Sequence, residues 1–299
     1  MKELIWEITN ECLNNCQHCS SMLCDSEGMH SFDLESIQKG VRLFMAHGFD
    51  QVILSGGEPG LHPYFDKIID AIVSTGAEVS IYTSGVYHDD FFTPARLQAI
   101  KKLRTVFFSV YSFEPNAHNA LTGNSSSFEK TVESLDRFIA EGINVEVNIV
   151  PMKQNQDDLK QAAEFMLSRG ALKVNFLKLV RQGNAENHWD SIRPDYDRLD
   201  ETLDCLRHDE YVRVGAPFGK QKSSGQSCGA GYKKICITYD GYILPCEVFK
   251  KDRKKFPNIY KNDLDLGRVI SSFSGLRSIS DNYQASCYKS AIQAVLVEG

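Results

Sequence analysis

The stretch that decides the fold is Leu4-Ile-Trp-Glu-Ile-Thr9, which runs almost at once into Cys12-Leu-Asn-Asn-Cys16-Gln-His-Cys19. The first part is apolar and β-branched and reads as a strand. The second places three thiols on one tight loop. A helix follows: Phe32–His47 sets apolar residues at Phe32, Leu34, Ile37, Val41, Phe44 and Met45, a helical period. This strand–loop–helix unit then repeats. Val52–Leu54 leads to a helix over Tyr64–Ser74. Ala77–Thr83 leads to Pro94–Lys102, with Thr93 as N-cap and Pro94 at the first helical position. Val106–Val110 leads to Ser127–Ala140, and Ile143–Val150 to Asp157–Arg169, which Gly170 terminates. Lys173–Val180 is the sixth strand.

Such alternation gives an α/β fold with a parallel sheet and crossover helices. Six strands do not complete an eight-stranded barrel. Pattern alone leaves both an open partial barrel and a doubly wound sheet. In either, the loops at the C-terminal strand ends hold the chemistry. Beyond the sixth strand, Gln182–Asp195 reads as loop and Tyr196–His208 as helix, with Cys205 a small buried apolar residue between Leu203 and Leu206. The texture changes near Gly215. Gly219–Gly231 is rich in Gly, Ser and Lys. Ile235–Tyr239 and Tyr242–Leu244 flank Asp240-Gly241, a hairpin signature. A short helix is expected near Asn282–Val297. The division expected is 1–214 and 215–299.

With 299 residues, 42% of them apolar and 24% charged, the chain is ordinary for a globular protein. No apolar run reaches the length of a membrane span. Met1–Ile8 carries acidic residues and is no signal peptide. The formal charge of −6 weighs against a nucleic-acid partner. Nine cysteines without an export signal suggest a cytoplasmic protein that uses thiols for metal binding.

Soft thiolates suit zinc, copper(I) or iron–sulfur clusters. Structural zinc usually takes four protein ligands, whereas Cys12, Cys16 and Cys19 are three. A cubane cluster held by three thiolates leaves one iron open to an outside ligand. The Cys-x3-Cys-x2-Cys loop after a first strand resembles the radical S-adenosylmethionine (SAM) superfamily. Ser55-Gly56-Gly57-Glu58-Pro59 resembles that superfamily's GGE motif, and Thr83-Ser84-Gly85 its Thr-Asn-Gly turn with Ser for Asn. Ser109 ends strand four, where relatives often place a ribose-contacting Ser, and His118-Asn-Ala-Leu-Thr-Gly123 is similar to a further segment of the family. The likeness covers roughly residues 4–180.

The resemblance implies a partial (β/α)6 TIM-like barrel with a small C-terminal hairpin and helix extension. It implies a SAM-binding 4Fe-4S cluster on Cys12, Cys16 and Cys19. SAM would be held by Gly56, Gly57, Glu58, Ser84 and Ser109, with Arg181 near its carboxylate or the substrate. Cys228, Gly241 and Cys246 fall in a Cys-x12-Gly-x4-Cys pattern that resembles the start of SPASM and twitch extensions. That implies one auxiliary iron–sulfur cluster on Cys228, Cys246, Cys287 and Cys236; structural zinc on the same four is the alternative. The implied reaction is reductive cleavage of SAM to a 5′-deoxyadenosyl radical, which abstracts hydrogen from the substrate. An external one-electron donor of flavodoxin or ferredoxin type would feed it. Cys24, Cys236 and Cys287 are candidate hydrogen donors to a substrate radical. The substrate expected first is a ribosomally made peptide, epimerised, crosslinked or oxidised. A sugar or aminocyclitol is the second. The chain starts at its first strand, without an N-terminal peptide-recognition domain, which weakens the peptide expectation. A non-catalytic electron carrier or metal scaffold would cleave no SAM.

Overall fold

The computed structural model describes residues 1–21, 28–215, 229–261 and 264–274. Seven strands follow one another through the first 215 residues: β1 (Glu3–Thr9), β2 (Gln51–Gly56), β3 (Glu78–Thr83), β4 (Val106–Ser109), β5 (Val145–Ile149), β6 (Lys173–Phe176) and β7 (Val212–Val214). The helices between them are α1 (Leu34–Ala46), α2 (Phe65–Val73), α3 (Pro94–Ile100), α4 (Pro115–Thr122), α5 (Ser127–Ala140), α6 (Leu159–Ser168), α7 (Asn184–Asn187), α8 (Trp189–Ile192) and α9 (Tyr196–Leu206). Then come β8 (Lys234–Ile237), β9 (Ile243–Leu244), a 3-10 segment Glu247–Lys255 and α10 (Leu266–Ser274). Thr93 caps α3 as its side chain accepts from the Arg96 amide, and Gly170 ends α6 with φ of 101°.

The sheet order, β7-β6-β5-β4-β3-β2-β1-β8-β9, resolves the ambiguity that pattern alone leaves. A doubly wound sheet reverses its strand order at a switch point. Here β1 to β7 advance in one direction, all parallel. Right-handed crossovers then put every helix on the same face. The other face becomes the inside of an open barrel.

The two faces are chemically distinct. On β1 the outer row is Leu4, Trp6 and Ile8, all buried against the helices, with the Trp6 indole packed on Gly40 of α1. The inner row carries Glu7, and across the registered strands Ser80, Tyr82, Ser109, Asn148 and Asn175 share its face. These inner polar groups pair with one another: Asn175 Nδ2 donates to Glu146 Oε2 at 3.0 Å and Asn148 Oδ1 at 3.1 Å, and Gln51 Nε2 to Ser80 Oγ at 3.2 Å.

The hairpin expected around Asp240-Gly241 is present, but its first strand continues the main sheet. β8 pairs in parallel with β1, Cys236 opposite Ile5, and β9 returns antiparallel. Four further features differ from the sequence reading. β7 is a strand of only three residues, too short to show a period. The stretch read as loop over Gln182–Asp195 contains the single turns α7 and α8. α10 buries Leu266, Ile270 and Phe273, a helical spacing diluted by polar neighbours. Cys205 is exposed, because α9 buries Leu199, Leu203 and Leu206 instead. The helix expected near Asn282–Val297 lies outside the described residues. Among the described residues no helix is long and apolar enough to cross a membrane.

A Cβ on Gly40 would collide with the Trp6 ring. Alanine normally gains up to about 1 kcal/mol over glycine inside a helix, but overpacking costs about 1–3 kcal/mol. Gly40→Ala should therefore lower the melting temperature measured by circular dichroism; a rise would show that Trp6 yields freely.

Candidate functional site

Two strand ends meet at the site. The Gly57 amide donates to the Thr9 carbonyl at 2.8 Å, and the Glu58 amide to the Glu11 carbonyl at 2.7 Å. The loop after β2 is thus zipped to the start of the cysteine loop. Both glycines are required by space. A Cβ on Gly56 would strike the Thr9 carbonyl, and one on Gly57 the Glu11 carbonyl. Gly56 also has φ of 141°, which side chains rarely adopt.

Glu58 faces away from the cavity. It is fully buried and accepts four hydrogen bonds: Thr83 Oγ1 at 2.8 Å and the Gly60 amide at 3.3 Å on one oxygen, Ser84 amide and hydroxyl both at 2.7 Å on the other. Burial raises its pKa and these donors oppose the rise. Its structural action is to tie the β2 loop to the Thr83-Ser84-Gly85 turn. Gly56, Gly57 and Ser84 line the cavity; Glu58 is absent from its wall.

Long-range clamps hold the cysteine loop at both ends. At one, the amides of Asn15 and Gln17 donate to the carbonyls of Thr122 (2.8 Å) and Leu121 (3.0 Å) at the end of α4. Gly123, with φ of 65°, lets that helix end so close to Asn15 that a Cβ would not fit. At the other, the Asn184 amide donates to the Cys19 carbonyl and its side chain to the Cys16 carbonyl, both at 2.9 Å. The His118–Gly123 segment was visible in sequence; the Gly183-Asn184 clamp was not.

Cys12, Cys16 and Cys19 line a cavity of about 610 Å³ with Gly56, Gly57, Ser84 and Ser109. None of the three is in a disulfide. Burial pushes the Cys12 thiol up to about 12, aided by Glu58 and Cys19, and pushes Cys16 up as well, aided by Cys19 and Cys12. Three thiolates there would repel one another, so the set fits a cationic iron core that binds and discharges them. Among the described residues no three His, Cys, Asp or Glu converge to hold a single ion. Zinc needs that convergence; a cubane does not, since each thiolate meets its own iron. Three buried polar atoms in the same wall also have no partner: Asn14 Nδ2, His18 Nδ1 and Gln182 Oε1. Such atoms are costly unless a ligand satisfies them.

Behind the loop, His18 stands edge-on to Tyr111 with ring centres 4.2 Å apart, and Tyr111 stacks on His118 at 5.6 Å. His118 Nδ1 accepts from the Tyr111 amide and its Nε2 meets Ser127 Oγ at 3.2 Å. The Ser109 side chain lies beside Tyr111 and opposes the rise that burial imposes on its phenol pKa. Tyr111 was not singled out from sequence.

The opposite wall comes from the C-terminal segment. Lys234, Glu247 and Lys250 line the cavity, with Lys234 Nζ 3.0 Å from Glu247 Oε2. Gln182 Nε2 donates to the Glu247 carbonyl at 2.9 Å. Cys246 is half-buried beside them. Cys236 is fully buried beside Lys250 and Glu7, and is not part of the cavity wall. Arg181 is exposed, over the Trp189 ring at 5.6 Å, and also lies off the wall. Cys24, Cys228 and Cys287 lie outside the described residues.

The Radical SAM superfamily profile matches residues 6–166, and the chain belongs to that superfamily. The family uses a 4Fe-4S cluster and SAM. Among curated relatives, the chain is 24% identical over 257 residues to the antilisterial bacteriocin subtilosin biosynthesis protein AlbA of Bacillus subtilis, covering 83% of this chain and 55% of AlbA. It is 28% identical over 270 residues to the GTP 3',8-cyclase of Aquifex aeolicus, covering 82% of each. In three dimensions it resembles Streptococcus suis SuiB bound to its precursor peptide SuiA, with a TM-score of 0.72 at 18% identity, covering 92% of this chain and 66% of SuiB. SuiB has also been solved with SAM bound. The fold is the partial barrel of these enzymes, and the chain spans about half the length of AlbA.

Gly57→Ala should break the Thr9–Gly57 zipper. Iron bound after anaerobic loading should fall by about four per chain, one cubane; unchanged iron would mean the close approach is dispensable. A second expectation concerns pH. Burial lowers the His118 pKa from 6.5 to about 4. Between those values the unfolded chain binds more protons, so stability falls as pH drops from about 6.5 toward 4, by up to about 3 kcal/mol. His118→Gln should flatten the pH dependence of urea unfolding in that window; an unchanged slope would assign the loss to other groups.

Proposed function

We propose that this chain is a radical SAM enzyme that modifies a ribosomally made peptide. The observation that carries the chemistry is the three-thiol loop zipped to Gly56-Gly57 at the mouth of one cavity. Cys12, Cys16 and Cys19 would hold the 4Fe-4S cluster, leaving one iron for the amino and carboxylate groups of SAM. When bound, cluster and SAM supply a 5′-deoxyadenosyl radical able to take hydrogen from an unactivated carbon. The chain's own part is placement and exclusion of water. Gly56 and Gly57 offer bare backbone against the methionine end. Ser84, fixed by Glu58, and Ser109, beside Tyr111, present hydroxyls to the nucleoside. The peptide reading is supported by the likeness to AlbA and SuiB.

The C-terminal segment would carry a twitch-type auxiliary cluster with Cys246 among its ligands, able to accept an electron from a substrate radical. Its presence selects oxidation or crosslinking; its absence leaves redox-neutral epimerisation. A flavodoxin or ferredoxin in a reducing, cytoplasmic setting would supply the first electron. A nucleotide substrate is the second reading, favoured by the likeness to GTP 3',8-cyclase. Against it, the buried cations of the described wall, Lys234 and Lys250, are each already paired with a carboxylate.

Anaerobically loaded protein given SAM and dithionite should release 5′-deoxyadenosine, and Cys16→Ala should release none. Turnover unchanged in that variant would refute the cluster assignment. Iron should reach about eight per chain for two cubanes, while about four would remove the auxiliary cluster. Mass change in a precursor peptide encoded beside the gene, and none in GTP, would decide the substrate.

A further inference from the structure

A carboxylate sits in the middle of the apolar β1. Glu7 is fully buried. It accepts from the Ser21 hydroxyl at 2.6 Å, the Lys250 ammonium at 2.7 Å and the Tyr239 amide at 3.2 Å. Lys250 arrives from the 3-10 segment after Cys246, and its side chain is 6% exposed. Its ammonium also lies 3.4 Å from Ser21 Oγ, and it lines the cavity. The pair therefore joins β1, the C-terminal segment and the end of the cysteine loop. Ser21 is two residues past Cys19, whose thiol donates to the Ser21 carbonyl at 3.7 Å.

Holding two elements together does not require charge. Desolvation costs several kcal/mol per ion, and a well-packed apolar pair of equal volume usually serves as well or better. What an ion pair adds is field. The cluster potential responds to net charge and hydrogen bonds around it, and a charge in a dry interior acts far more strongly than one in water. Beside this pair, Lys234 is matched by Glu247 at 3.0 Å. Burial opposes the Lys250 charge, but Glu7 and Glu247 raise its pKa, so it stays a cation.

We propose that Glu7 and Lys250 are positioning residues that set the reduction potential of the cluster on Cys12, Cys16 and Cys19 through opposed charges. The anion lowers the potential and the cation raises it. Lys250 reaches the site only when the C-terminal segment is docked, so docking of that segment tunes the cluster. The inference rests on the cluster reading of the three-cysteine loop.

The test uses the full chain, loaded anaerobically with iron and sulfide. The midpoint potential is measured, without SAM, for the cluster whose electron paramagnetic resonance signal responds when SAM is later added. Glu7→Gln should raise it, Lys250→Met should lower it, and E7Q/K250M should return it close to wild type. Lys250→Arg should leave it near wild type. A purely structural pair would give shifts of one sign, or none, and either result overturns the proposal. Should Lys250→Met not fold, Glu7→Gln against the double variant decides: equal potentials overturn it. A wild-type chain that assembles no SAM-responsive cluster would instead overturn the reading of the loop, and this proposal with it.

Discussion

Where β1 and β2 end, two backbones run so close that neither Gly56 nor Gly57 has room for a β-carbon. That proximity does several things together. It lets the amides of Gly57 and Glu58 satisfy carbonyls of the cysteine loop. It brings the Cys12 thiol to the same wall as the bare Gly-Gly backbone. It also turns the Glu58 side chain inward, where Thr83 and Ser84 fix the next strand end. One steric condition therefore aligns three consecutive strand ends. The site is rigid because each loop is a hydrogen-bonding partner of its neighbour, not because any loop is stiff alone.

The open barrel explains why the inner sheet face can be polar. Parallel sheets with helices on both faces bury apolar rows on both. Here all helices lie outside, so the inner row faces a cavity instead of a second helical layer. Asn148, Asn175 and Glu146 bond one another, and Glu7 bonds Lys250 and Ser21. Buried polar groups tolerate an interior only when paired. Of the four unpaired exceptions among the described residues, Asn14, His18 and Gln182 lie along the cavity wall, where a ligand would reach them; the fourth, the Trp6 indole nitrogen, is on the helix side of the sheet.

What the sequence made legible was local. The thiol spacing, the Gly-Gly-Glu turn and the capped helix at Thr93 are each written within a few residues; the structure caps α3 with Thr93 and puts the three cysteines and Gly56-Gly57 on one cavity wall, with Glu58 turned away from it. The six-strand rhythm was legible for the same reason. What stayed hidden depends on contacts across long separations. Nothing near Asn184 says that it grips Cys16 and Cys19. Nothing near Ile235 says that it will lie beside Leu4 as the eighth strand of the main sheet. Glu7, an acid inside an apolar strand, demands a partner, but only the folded chain shows that partner to be Lys250. Cys205 failed in the opposite direction, because helical neighbours on both sides do not fix which face a residue occupies.

The placement of β8 orders the chemistry along the barrel. It runs parallel to β1, so its end near Tyr239 lies level with the cysteine loop, where the Tyr239 amide meets Glu7. The Asp240-Gly241 turn then reverses the chain, and β9 descends until Cys246 is level with Lys234, which pairs with Glu3 at the start of β1. Glu3 to Thr9 is about 20 Å of extended strand. Cys246 thus belongs near the foot of the barrel and the three clustered thiols at its mouth, and the cavity wall runs from the thiols to Lys234 and Glu247 beside Cys246. With the proposed auxiliary cluster at Cys246, a substrate between them would meet a hydrogen-abstracting radical from above and an electron acceptor from below. Under that proposal the electron left on the substrate has somewhere to go other than back toward SAM, which favours net oxidation.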